Sequence, residues 1–252
     1  MPLTPQIASL RALARCYRSR ASALLAGTCL VLAASNAMAD GMVPSSSLVL
    51  IHEADGEATM QVTNSDAQLN LLHVALEDIP EDKEPLLLVT PPLSRVEPGK
   101  TQTVRFVLLD RPGQPALATQ RLKRAIFEGI PESRHSAGAE AQVNVTVRQN
   151  IPVLIHPKGL TPNRSPWALL EWSLHGQTLS VTNPSPYVVR MAQQLQLLPA
   201  NTSALLPKPY VLPGETLALQ VPGGSQATTV KLQPATVYGF VTDPYEAPLH
   251  HR

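Results

Sequence analysis

Between Gln142 and Pro157 the chain first alternates and then turns continuously apolar. Val143, Val145, Val147 and Ile151 fall at period two, so their side chains point to one face of a strand, separated by Asn144, Thr146 and Arg148. The pattern then becomes Val153-Leu154-Ile155, a short apolar run of the kind that fills a sandwich core. The second half of this strand fits the protein's own core. The first half reads either as an ordinary half-buried edge or as a β-branched row offered to another protein.

Similar short patterns predict strands at 47–51, 58–63, 71–77, 86–89, 101–109, 121–128 and 143–155, and again at 168–174, 178–182, 188–198, 217–221, 229–232 and 238–242. Asp55-Gly56 and His175-Gly176 read as tight hairpin turns. An internal repeat organises these strands. Met60-Gln-Val-Thr-Asn64 is followed by Val96-Glu-Pro-Gly-Lys-Thr101, and Leu179-Ser-Val-Thr-Asn183 by Val211-Leu-Pro-Gly-Glu-Thr216. Each pair is a strand ending in an Asn that can turn the chain, then a Pro-Gly turn launching another strand. The expected fold is all-β: two immunoglobulin-like β-sandwich domains, set at an angle with a cleft between them, joined near Pro157–Pro162.

Composition agrees, with 25 Pro, 13 Gly and only 4% aromatic residues. The first 39 residues read as a secretory signal peptide: Arg11, Arg15, Arg18 and Arg20 precede an apolar stretch ending in Ala37-Met38-Ala39. The domains expected are therefore 1–39 as leader, 40–157 and 158–252. Both cysteines, Cys16 and Cys29, fall in the leader, which leaves residues 40–252 to be stabilised by burial alone. The four leader arginines belong to a total of 20 Lys+Arg, and none of the 19 Asp+Glu precedes Asp40, so residues 40–252 carry a slightly negative charge that speaks against nucleic acid. No nucleophile elbow, zinc-protease motif, Walker loop or dinucleotide fingerprint occurs, and the histidines are scattered. No enzyme activity, metal or cofactor is expected, and His250-His251 reads as a solvated tail.

Several motifs resemble those of the periplasmic chaperones of the chaperone–usher pathway, which assemble pili. They are Thr90-Pro-Pro-Leu-Ser-Arg-Val-Glu-Pro-Gly99, Ile126-Phe-Glu-Gly-Ile-Pro131, the valine strand running into Ile155-His-Pro157, Val181-Thr-Asn-Pro-Ser-Pro-Tyr187 and Tyr238-Gly-Phe-Val-Thr-Asp243. The resemblance implies a periplasmic protein whose partners are pilin subunits and an outer-membrane usher. It implies that Val143, Val145, Val147 and Ile151 form a subunit-binding strand, lent to a pilin that lacks its own last strand. The same row could pair two copies of this chain.

The chain also departs from the family. Members place an Arg on the first strand and a Lys on the last to grip the subunit's terminal carboxylate; here Leu48 and Pro152 stand nearest those positions. His156 replaces an Arg that pairs with acids across the domain joint, and Gln120 and Val237 stand nearest those acids. Either the carboxylate anchor has moved to Arg148, Lys158 or Arg190, or the chain is an accessory binding protein that keeps the fold without the anchor.

Overall fold

The computed structural model describes residues 41–113, 115–131, 146–223, 226–236 and 242–251. The expected leader, Val143, Val145 and Val237 lie outside them, as does most of the strand expected at 238–242.

Among the described residues, the strands of the first sandwich are β1 (Met42–Pro44), β2 (Val49–His52), β3 (Glu57–Asn64), β4 (Asn70–Glu77), β5 (Leu87–Thr90), β6 (Leu93–Val96), β7 (Thr101–Leu108), β8 (Arg121–Pro131) and β9 (Arg148–His156). One sheet runs β1-β3-β7-β5 and the other β2-β9-β8-β4-β6. Alternation chooses the inner faces. Met60 and Val62 of β3 and Val104 and Phe106 of β7 meet Leu72, Val74, Ala125, Phe127, Ile151 and Val153 of the facing sheet. Phe106 and Phe127 pack as a tilted ring pair with centroids 6.2 Å apart.

The turn at Asp55-Gly56 forms, with both amides donating to the His52 carbonyl and Gly56 at φ 72°. It is not a hairpin, because β2 and β3 belong to different sheets. The turn carries the chain from one layer to the other. A period-two reading detects strands and turns but not which sheet a strand joins.

The second sandwich follows a turn of 3-10 helix, Pro166–Leu169. Its strands are β10 (Glu171–His175), β11 (Thr178–Thr182), β12 (Val189–Met191), β13 (Gln194–Leu198), β14 (Thr202–Leu205), β15 (Tyr210–Val211), β16 (Thr216–Gln220), β17 (Thr229–Leu232), β18 (Pro234–Ala235) and β19 (Tyr245–His251). They form sheets of order β14-β13-β17-β19-β10-β11-β16 and β15-β12-β18 around Trp172, Leu174, Leu179, Val181, Leu195 and Leu197. His175-Gly176 does close a true hairpin, between β10 and β11. In the expected tail His250 and His251 are exposed, but they belong to β19, a central strand. Its first part pairs with β17 and its end runs parallel to β10, with His250 opposite Ser173 and His251 bonded to the Ala227 carbonyl.

The internal repeat is present down to its hydrogen bonds. Asn64 and Asn183 are fully buried, and each side-chain amide donates to two carbonyls: Gln68 and Val96 for Asn64, Tyr187 and Val211 for Asn183. Each Asn carbonyl accepts from the glycine of its Pro-Gly turn, Gly99 at 2.8 Å and Gly214 at 2.7 Å. Both glycines sit at positive φ, 69° and 73°, where a side chain would be strained.

Candidate functional site

β9 pairs with β8 along its whole length, from Arg148 opposite Glu128 to Ile155 opposite Arg121. On its other side β2 begins only at Val49, opposite Val153. Among the described residues, Arg148 to Pro152 therefore present one unpaired edge. This happens because the chain before β2 leaves the sheet, bending at Ser46, whose hydroxyl bonds both the amide and the carbonyl of Leu48, to reach β1 in the opposite layer. An open edge is a template for another strand. Val147 lies just before β9 and is 40% exposed.

Ile151 does not continue the exposed row. It is 6% exposed and packs in the core with Met42, Val49 and Phe127. From β9 onward that face of the sheet is turned into the sandwich, so of the expected row Val147 is exposed, Ile151 is buried, and Val143 and Val145 lie outside the described residues.

On the opposite face of the sheet, Pro152 lies across from Arg124, and Arg124 across from Glu77. The Arg124 side chain donates to Asn150 twice, Nε to Oδ1 at 2.5 Å and Nη2 to the carbonyl at 3.2 Å. Burial lowers its pKa, opposed by the negative charges available at Tyr210 and Glu77. Arg190 of β12 belongs to the second sandwich, yet feels the charge of Arg124. Burial first, and that like charge second, lower its pKa. Its Nη1 is buried with no hydrogen-bond partner.

The three candidate anchors thus separate. Arg148 is exposed and already bonded to Glu77. Lys158 is exposed in the linker, with its backbone amide held by Glu53 at 2.8 Å. Arg190 alone of the three has a buried, unused donor, and Arg124, which the sequence reading missed, stands with it. Arg124 and Arg190 are thus two partly buried guanidiniums, and one of them carries a nitrogen with no hydrogen-bond partner.

The model of the family described as "Pili and flagellar-assembly chaperone, PapD N-terminal domain" matches residues 41–161, and that of "Pili assembly chaperone PapD, C-terminal domain" matches 166–245. The chain belongs to the pilus-assembly chaperone family. The chaperone is 36% identical over 219 residues to the uncharacterized fimbrial chaperone YhcA of Escherichia coli (strain K12), covering 86% of this chain and 95% of that protein. It is 25% identical over 197 residues to the chaperone protein FimB/FhaD of Bordetella pertussis, covering 72% and 78%. Among solved structures, the Salmonella enterica SafA pilin–SafB chaperone complex matches with TM-score 0.69 at 20% identity, covering 84% of this chain and 98% of that one. The Pseudomonas aeruginosa CupB2 chaperone matches with TM-score 0.66 at 21% identity, covering 82% and 100%. These likenesses show the two-domain fold.

The chaperone's sandwiches meet through Leu48, Ile79, Leu122 and Leu154 on one side and Val188 and Tyr210 on the other. An ionic cluster flanks this contact. Lys208 bonds both Glu81 of the first sandwich and Glu215 of the second, and the Tyr210 hydroxyl donates to Glu81 at 3.1 Å. Gln120 and His156 are hydrogen-bonded to each other at 2.9 Å. The chaperone therefore joins its domains at that point through a glutamine and a histidine, and has an ionic cluster at Lys208.

Proposed function

We propose that this chaperone is exported by a leader spanning residues 1–39, caps pilin subunits in the periplasm by lending them the strand from Val143 into β9, and hands them to an outer-membrane usher. The observation that carries this reading is the unpaired edge of Arg148–Pro152, continuous with the exposed Val147 and the valine row before it. A subunit with an incomplete sandwich gains backbone hydrogen bonds along such an edge, and alternating valines fill its groove. Each buried valine supplies about 1.5 kcal/mol. The subunit's terminal carboxylate is taken up by Arg190 and Arg124, the first supplying its orphaned Nη1 and the second lying opposite Pro152.

The absence of a basic side chain at Leu48 and Pro152, and of an amide donor at Pro152, favours a second reading, an accessory chaperone-like protein that binds without assembling pili. Co-expression with a fimbrial pilin subunit tests the first. The wild type yields a soluble complex, and the Val145→Asp/Val147→Asp variant, itself folded, yields none. Undiminished recovery of the complex by that variant overturns the lent strand; a complex that forms but delivers no pili selects the accessory reading.

A further inference from the structure

His156, the last residue of β9, is 7% exposed and has both ring nitrogens engaged. Nε2 lies 2.8 Å from the Leu160 carbonyl and Nδ1 lies 2.9 Å from the Gln120 side-chain nitrogen. Gln120, 3% exposed, uses its other side-chain atom, Oε1, to accept the amide of Val188 at 2.9 Å, and its own amide donates to the Pro186 carbonyl. The chain of bonds thus runs from the linker through β9 and the start of β8 into the second sandwich.

The two backbone ends fix the direction of every bond. A carbonyl only accepts, so His156 carries its proton on Nε2; an amide N–H only donates, so Gln120 presents Oε1 to Val188 and its NH2 group to Nδ1. Nδ1 must then be a bare acceptor. Protonating it sets N–H against N–H. Turning the Gln120 amide over satisfies the new proton but opposes the NH2 group to the Val188 amide. No arrangement of these four groups accommodates a charged imidazole with all bonds kept.

We infer that the His156–Gln120–Val188 chain is a pH-sensitive latch between the two sandwiches, closed when His156 is neutral and opened when it is protonated. Histidine is the side chain suited to this, since its charge changes between about pH 5 and 8. The surroundings offer the extra proton no relief. From β2, the His52 ring meets His156 edge-on at 5.4 Å, and Glu53, whose amide donates to the His156 carbonyl, has its carboxylate occupied by Lys158, Leu117 and Arg111. From β8, Arg121 is bound to Asp82 and Glu84. In the linker Lys158 adds a positive charge, and from the second sandwich the Tyr187 hydroxyl is spent on the Thr161 carbonyl. Among the described residues no carboxylate bonds the ring.

Amide hydrogen exchange at Val188 in the whole protein tests the latch, with rates corrected for the intrinsic effect of pH. The protection factor falls at least about fivefold between about pH 7.5 and pH 5.5, the equivalent of one buried hydrogen bond. In His156→Gln, whose amide offers an acceptor and a donor without titrating, protection is flat over that range. In Gln120→Glu the carboxylate accepts from both Val188 and the imidazolium, so protection rises on acidification. His52→Gln keeps the wild-type fall. Unchanged wild-type protection, a fall that survives in His156→Gln, or a fall abolished by His52→Gln overturns the inference; if His156→Gln does not fold, the sign in Gln120→Glu decides.

Discussion

Arg124 stands directly across the β8–β9 ladder from Pro152. On the neighbouring strand the row thus carries a cation beside the very position where the last strand lacks one. Its partner, Arg190, comes from the other sandwich, so an anion held by both ties the domains together. Replacing either arginine by methionine lowers affinity for a pilin by about 10- to 100-fold, as expected for a lost charge-assisted hydrogen bond, measured by titration calorimetry. The free Arg190→Met protein unfolds at equal or higher urea concentration than wild type, because a partly buried cation with an unpartnered Nη1 has been removed.

Ile151 and Val147 separate stability from binding. Ile151→Ala costs about 2–4 kcal/mol in chemical unfolding through the cavity it leaves in the first core. Val147→Ala changes stability by less than about 0.5 kcal/mol, being exposed, and weakens capture of a subunit. If the two effects were exchanged, the assignment of inward and outward faces would be wrong.

Asp82 should set part of the acid limit. Burial pushes its carboxyl up, but hydrogen bonds from Arg121 and Lys123, with their charges, outweigh this and hold it below the ordinary carboxylate range. A carboxyl lowered by folding contributes fully above its unfolded value, near pH 4, and the contribution is lost as pH falls through the lowered folded value. Asp82→Asn therefore costs about 3 kcal/mol at pH 7, leaving Lys123 under-paired in the sheet end, and flattens the loss of stability below about pH 4. Urea midpoints across pH measure both.

Lys208 links the sandwiches through Glu81 and Glu215. Lys208→Met brings two carboxylates together without their cation and lowers stability by about 1–3 kcal/mol. Adding Glu81→Gln recovers part of that loss, and the non-additivity in a double-mutant cycle reports the pair.

Strands whose inward residues alternate cleanly, such as β3, β4 and β7, were legible in the sequence, and so was the Asn and Pro-Gly repeat, because each mark performs a local backbone task. β19 was not: Pro248 breaks the strand signal between Ala247 and Leu249, although both are buried. The short strands β12 and β13 read as one because Ala192-Gln193 gives no turn residue between them. The valine row indicated where to look for a site, and Arg190 was among the candidate cations. Arg124 escaped because its place beside Pro152, 28 residues away along the chain, is set by strand pairing. Pairing across strands is a long-range property that one-dimensional patterning does not contain.

Both sandwiches are closed by parallel pairing of an early strand with the last one, β2 with β9 and β10 with β19. Closure of this kind sets a sequence of events for a chain that emerges N-terminus first. Val49 to His52 must wait for Val153 to His156, and Trp172 to Leu174 for the final Leu249 to His251, so neither domain can finish until its own end has arrived. Such distant contacts slow folding. During that interval each incomplete domain holds an early strand whose parallel partner has not yet been made.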